Sequence, residues 1–346
     1  MSRRSIAAVV VLALAAAVGG WHVFAQRLED GIHAWVAQRR AEGYEVAYTD
    51  LSMSGFPLGW TAEIVAPRLS APPGEPQWRW TGPDLRLDLS PVHPERARFD
   101  FRGRHRLELP PGAALLATAA EARADIGLDG NGRVDRIDAR LARLELGLDG
   151  RALRLSVEIA ELDASRVYVE TADDPIVPAV TAIARTRWRR IVLPSDLAGP
   201  LGPEIAVLAI EAELKGAIPP GPPEAALAVW RDGGGTLEVR SLRLDWGPLA
   251  LDADGSLGLD RDMQPVGTMT ARVRGLAAAI TAYERAGVLE PGPAAAARLL
   301  SAVATRPAAD GGPPEVRLPI TVRNQLVMLG PLVLVRFPRI RWTGAP

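Results

Sequence analysis

Residues 242–275 read LRLDWGPLALDADGSLGLDRDMQPVGTMTARVRG. Leu249, Leu251, Ala253, Leu257 and Leu259 fall at every second position, and after the polar turn 260–264 the period resumes at Met269, Ala271 and Val273. Side chains leave a strand on alternate sides, so this spacing predicts a β-hairpin with one apolar face. The intervening Asp252, Asp254, Thr268, Thr270, Arg272 and Arg274 make the other face polar. Leu249, Leu251, Leu257, Leu259, Met269 and Val273 then form an apolar wall, which either fills a core or lines a groove for an apolar ligand. The carboxylates Asp252, Asp254, Asp260 and Asp262 belong to the wetted side and the turn. Acid–base work by paired carboxylates needs burial or neighbours that separate their pKa values, and nothing in the stretch supplies it.

The same alternation extends outward. Tyr44, Val46 and Tyr48 open a strand that breaks at Met53-Ser54-Gly55-Phe56-Pro57, and Trp60 to Val65 follows. Further strands are predicted at Leu85 to Leu89, Phe99 and Phe101, Leu107 and Leu109, Ile126 and Leu128, Ile137 to Leu141, Leu153 to Ile159, Val167 and Val169, and Ile205 to Leu214. Closing strands are predicted over 316–322, 326–328, 332–335 and 340–342. Almost all are amphipathic, which favours antiparallel sheets with one wetted face over a parallel sheet clothed by helices. Helical spacing is read at 175–190, with Ile176, Val180, Ile183 and Ala184 on one side and a basic end at Arg185, Arg187, Arg189 and Arg190, and again at 276–305, interrupted near 290–293. Pro219-Pro220-Gly221-Pro222-Pro223 is the best internal boundary. The expected organisation is a first β-rich unit over 44–220 and a second over 221–346, mainly β with a few helices. Gly127-Leu128-Asp129 and Gly258-Leu259-Asp260 each end a strand before a polar turn, an echo that suggests two related units.

At the N-terminus Arg3 and Arg4 precede an apolar run over 6–24. About 19 residues make a helix of ~28 Å, just enough to span a bilayer. Two readings stand: a signal peptide over 1–25, and an uncleaved anchor carried by Ile6, Val10, Leu12, Leu14, Val18 and Trp21. The anchor is favoured because Leu28, Ile32, Trp35 and Val36 continue an apolar stripe through a membrane-proximal helix over 26–43. A short Arg3-Arg4 head stays cytoplasmic, so the bulk of the chain is expected on the far side.

Composition narrows the chemistry. A net charge of −1 gives no field to recruit nucleic acid, and no nucleic-acid partner is expected. Cysteine is absent, which excludes disulfides, thiolate metal sites and a thiol nucleophile. Histidine stands only at 22, 33, 93 and 105, without helical metal-ligand spacing. His93 and His105 flank the strand near Phe99 to Phe101 and are read as exposed loop histidines, with approach across a hairpin as the alternative. Lys215, the only lysine, is followed by Gly216 and completes no phosphate loop. Asp129-Gly130-Asn131-Gly132 starts like a calcium loop, but Arg133 and Arg140 stand where oxygen ligands belong. No catalytic residue, metal or cofactor is predicted, and an enzyme is not expected.

Several segments resemble a bacterial envelope family known as domain of unknown function 2125. They are the N-terminal anchor, Ser54-Gly55-Phe56-Pro57 with Trp60 after it, Trp78-x-Trp80, the hairpin from Trp246-Gly247-Pro248-Leu249 to Gly275, and Leu329-Gly330-Pro331-Leu332. More remotely the pattern is similar to AsmA-like proteins, which implies an elongated, curved antiparallel sheet, a groove or open barrel, outside the inner membrane. Neither resemblance supplies catalytic residues. The expectation is a single-pass protein of the bacterial inner membrane with its bulk in the periplasm, whose sheet binds or guides a lipid or another apolar ligand. The alternative is a structural protein with a closed β core that binds an envelope partner.

Overall fold

The computed structural model describes residues 3–73, 77–110, 112–149, 154–167, 180–195, 198–219, 221–306, 314–329, 332–340 and 342. By its contacts the chain divides into two units, Met1–Ala152 and Leu153–Pro346.

The first unit begins with α1 (Arg3–Ala41). It continues with β1 (Glu45–Ala47), β2 (Asp50–Ser54), β3 (Trp60–Val65), β4 (Arg68–Ser70), β5 (Arg79–Thr81), β6 (Leu85–Leu89), β7 (Arg96–Asp100), β8 (Gly103–Leu109), β9 (Ala113–Ala119), β10 (Glu121–Leu128) and β11 (Val134–Leu148). Read by register, these short strands are halves of long antiparallel lanes in a meander: β1–β2, β3–β4, β5–β6, β7–β8, β9–β10, then β11. The lanes break near their middles, where Ala66 (φ 50°), Gly103 (φ 128°) and Arg143 (φ 48°) are left-handed, so a crease crosses the sheet.

One face carries the apolar rows Val46–Leu69–Trp80–Leu107–Leu115–Leu148 and Ala62–Leu87–Phe99–Ala124–Ala139 on either side of the crease. The other carries Thr61–Asp88–Arg98–Asp125–Asp138, with Arg98 to Asp125 at 2.7 Å. The first and last lanes do not pair with each other among the described residues, so this sheet is not closed into a barrel.

The helix α1 lies along β1, β2 and β3. Its docked stripe is Trp21, Ala25, Leu28, Ile32 and Val36, spaced by three or four as one helical face requires. Trp35 departs from the expected stripe and is exposed, standing one residue off the line of Ile32 and Val36. Val36 closes a small core with Tyr44 and Val46, against which Tyr48, Leu69 and Trp78 pack.

The second unit contains β12 (Arg154–Arg166), β13 (Val180–Val192), β14 (Glu204–Lys215), α2 (Pro223–Asp232), β15 (Thr236–Trp246), β16 (Leu249–Leu259), β17 (Pro265–Arg274), α3 (Leu276–Arg285), α4 (Pro291–Ala304), β18 (Thr305–Arg306), β19 (Glu315–Arg323), β20 (Leu326–Leu329) and β21 (Leu332–Arg336). Strands β12 to β17 are successive antiparallel neighbours, β19 joins β17, and β20 and β21 complete the meander, with β18 on β19. The hairpin of 249–274 is β16 and β17 as its alternation predicts.

Three expectations are corrected. Where spacing predicts a helix over 175–190, Val180–Val192 is a strand, while 175–179 lie outside the described residues. Arg185, Arg187 and Arg189 alternate onto one face, and Arg185 meets carboxylates of both neighbours, 3.4 Å from Asp163 and 2.9 Å from Glu211. Cross-strand charge pairing, not a helix C-terminus, accounts for the basic cluster.

The Pro-rich segment is not a boundary, since β14 and β15 pair from Ile205–Trp246 to Lys215–Thr236 across it. Pro222 and Pro223 instead start α2, where a residue without an N–H and with φ already set is tolerated. Trp230 of α2 is buried and donates Nε1–H to the Lys215 carbonyl at 2.8 Å. Finally, of the strand expected over 340–342, the described residues Ile340 and Trp342 are not in a strand. There the Gln264 side chain brackets Ile340, donating to its carbonyl at 3.0 Å and accepting its N–H at 2.9 Å. Leu153, Val169, Gly330 and Pro331 lie outside the described residues.

The Gly-Leu-Asp echo has a structural counterpart. Asp129 Oδ1 accepts the backbone N–H groups of Asn131 and Arg133 at 2.9 and 2.8 Å, and Asp260 Oδ1 accepts those of Asp262 and Gln264 at 2.9 and 2.8 Å. The fourth turn residue is left-handed in both, Gly132 (φ 75°) and Met263 (φ 58°). An Asp that satisfies N–H groups two and four residues on is a turn device.

Candidate functional site

Of the six hairpin residues expected to form an apolar wall, five lie in or against a core filled by the chain itself. Leu249, Leu251, Met269 and Val273 are buried, Leu251 at 2% exposure, in a core with Leu201, Val239, Ala279, Ile320, Val322 and Leu329. Leu257 packs at its rim and Leu259 is half-buried. The cover comes from α3, which starts right after β17 and lays Leu276, Ala279 and Tyr283 on this face. Of the two roles open to these residues, Leu249, Leu251, Leu257, Met269 and Val273 take that of core.

The same face runs on toward β12, and its cover thins. Register carries the row Leu251–Leu244–Leu208–Trp188–Ala160 and the row Ala253–Leu242–Ile210–Thr186–Leu162 from β16 to β12. Along the first row Leu251 is buried, Leu244, Leu208 and Trp188 are half-buried and Ala160 is buried again at 5%; along the second Ala253 is buried and Leu162 is 39% exposed. Helix α3 rests on β16 and α4 on β19, the far side of the sheet from β12. The polar atoms within the open part are already satisfied: Trp188 Nε1–H donates to Thr186 Oγ at 2.8 Å, and that hydroxyl donates to the Glu161 carbonyl at 2.9 Å. An apolar guest here would displace water without stripping a donor or acceptor of its partner.

The opposite face of this sheet is a lattice of ion pairs. Arg240 meets Glu213 at 2.7 Å, Lys215 meets Glu238 at 3.1 Å, Arg274 meets Asp252 at 2.8 Å and Arg272 meets Asp254 at 3.8 Å. The Arg240 guanidinium holds the Glu213 carboxyl below its ordinary value. Exposed pairs of this kind contribute about 0–1 kcal/mol each, so the lattice serves solubility and register more than stability. Asp252 and Asp254 belong to it, as their alternation predicts.

Polar concavities exist, but their groups are engaged. A depression of about 540 Å³ in the first unit is lined by Asp88, His93, Arg96, Arg98, Asp125 and Asp138. Asp88 accepts the Thr61 hydroxyl at 2.6 Å, Asp125 is held by Arg98, and His93 lies 3.3 Å from Glu95. His105 stacks on Trp80 with centroids 6.0 Å apart and bonds the Phe101 carbonyl at 2.8 Å. It sits in β8 and His93 in the turn before β7, so the two histidines do not converge. Among the described residues no three His, Asp or Glu side chains gather as a metal site.

Of the anchor residues, the side chains of Ile6, Val10, Leu12 and Leu14 lie outside those described, Val18 is exposed, and Trp21 docks on the sheet. Among the described residues no helix is long and apolar enough to cross a membrane. Sequence spacing missed the open face of β12 to β14 because the helical reading of 175–190 hid it. The signal was the alternation of Thr186 and Trp188 with Arg185, Arg187 and Arg189.

No curated protein and no solved structure shows significant similarity to the chain. A family model described as "Uncharacterized protein conserved in bacteria (DUF2125)" matches residues 21–338, a span that takes in the docked part of α1, the strands of both units and the helices α2 to α4. With most of its length matched, this chain belongs to that bacterial family, the domain of unknown function 2125.

Proposed function

We propose that the protein is a non-catalytic component of the bacterial envelope, held at the inner membrane by the N-terminal part of α1 with its bulk in the periplasm, which binds or guides a lipid or another apolar ligand. The observation that carries the reading is the graded apolar face of the second unit, closed under α3 at Leu251, half-covered at Leu208 and Trp188 and exposed at Leu162. Each methylene buried contributes roughly 0.8 kcal/mol, so about eight methylenes laid on such a face give useful affinity without any polar anchor. A remote sequence likeness to AsmA-like proteins is in keeping with this.

A structural, partner-binding role is the second reading, favoured by the filled core at the hairpin itself. Gentle extraction followed by lipid identification separates the two. Co-purified phospholipid, and uptake of labelled phospholipid by delipidated protein, are expected. Lipid-free protein that takes up no label would leave the structural reading.

A further inference from the structure

The first unit carries an exposed apolar edge whose position along α1 is fixed by contacts. Val36 packs with Val46 and Leu69 near one end of the sheet. Twelve residues back, Phe24 stacks on Trp60 with centroids 4.0 Å apart. One turn further back, Trp21 donates Nε1–H to the Gly59 carbonyl at 2.7 Å, accepts Nε1–H of Trp60 at 3.1 Å, and meets the Phe56 ring edge-on at 5.8 Å. The lane β3–β4 therefore runs alongside the helix, and the turn 55–59 points toward the helix N-terminus.

That turn is closed internally, with the N–H groups of Leu58 and Gly59 on the Gly55 carbonyl at 3.1 and 3.0 Å, yet its apolar side chains face outward. Phe56 is exposed and Leu58 is 84% exposed. The neighbouring turn 90–95 leaves the same end, since Trp60 pairs with Leu89, and its Val92 is 77% exposed. Among the described residues of the unit Leu58 and Val92 stand largely uncovered at two adjacent loop tips and Phe56 is covered on one edge by Trp21, whereas the opposite end of the sheet rests on the core of Val36, Tyr44 and Val46.

We infer that the turns 55–59 and 90–95 insert Phe56, Leu58 and Val92 into the outer leaflet of the bilayer that α1 enters. This rests on the anchor reading of residues 6–24. The argument for a lipid occupant is continuity: of the last aromatics of that apolar run, Trp21 touches the turn and Phe24 touches Trp60 just after it, and tryptophan favours the headgroup level. A loop tip lying beyond Trp21 toward the N-terminus meets the acyl boundary. The insertion would fix the sheet's tilt at the surface, as a second attachment beside the helix.

The chain has no cysteine, so single labels are clean. Full-length Leu14→Cys, Leu58→Cys, Val92→Cys and Leu109→Cys variants, each carrying an environment-sensitive fluorophore, are reconstituted in phosphatidylethanolamine and phosphatidylglycerol vesicles with acyl-chain nitroxide lipids. Leu109 ends β8 at the opposite end of the sheet and serves as the water-exposed reference. Quenching several-fold stronger at 14, 58 and 92 than at 109 is expected. Quenching at 14 with 58 and 92 no different from 109 overturns the insertion and leaves the anchor. Absence of quenching at 14 removes the anchor and the insertion together. Labels at 58 and 92 shielded from an aqueous quencher but untouched by the lipid nitroxide would mean a protein cover, and also overturn it.

Discussion

A Gly275→Ala variant is expected to lose at least about 3 kcal/mol of the second unit's stability, through backbone strain and a clash with main chain. Gly275 joins β17 to α3 with φ at +73°, a conformation L side chains avoid, and a Cβ there would lie 1.8 Å from the Pro248 carbonyl oxygen. The obstructing atom is backbone of the adjacent β15–β16 turn, so relief means moving α3 off the hairpin. Domains hold only about 5–15 kcal/mol in reserve, so the loss amounts to a large fraction. Gly292→Ala is the control. It lies in the first turn of α4 with nothing within 4 Å of an added Cβ, and its effect is expected to be small and, by helix propensity, favourable. Urea denaturation followed by tryptophan fluorescence compares the two; equal midpoints would mean that α3 does not cap the hairpin as described.

Leu251→Ala is expected to cost about 3 kcal/mol, within the usual range for deleting a fully buried leucine side chain. The same truncation at Leu162, on the same face of the same sheet, is expected to cost less than about 1 kcal/mol, because its methyls are already partly in water. The contrast measures where the sheet is core and where it is open. Denaturant midpoints at unchanged slope give both numbers, and a Leu162→Ala loss as large as that of Leu251→Ala would show that β12 is covered in solution.

What the sequence made legible follows from how local each feature is. The hairpin of β16 and β17 declared itself because eight apolar residues keep period two through a turn set by Asp260. The stripe of α1 was readable from Leu28, Ile32 and Val36 for the same reason at period 3.6. Strand β13 was misread because Val180, Ile183 and Ala184 satisfy helical spacing over a short stretch, while the deciding partners, Asp163 and Glu211, come from other strands. Pro219 to Pro223 looks like a linker to any local rule, and only the pairing of β14 with β15 places it inside a unit. The hairpin's alternation showed that Leu251 faces something apolar. It held no information on whether that would be α3 or a ligand, because the covering residues Ala279 and Tyr283 are specified elsewhere. The open face on β12 to β14 was hidden for the same reason, its rows being assembled across five strands.

The central claim is that apolar ligand sits on that open face. The most direct measurement is photo-crosslinking of the membrane-embedded full chain with a diazirine-bearing phospholipid, with adducts mapped by peptide mass spectrometry. The account predicts adducts on Leu162, Trp188 and Leu208 and none on Arg185 and Glu211 of the opposite face or on the buried Leu251. Adducts confined to α1 and the turns 55–59 and 90–95, with β12 to β14 unlabelled, would contradict it.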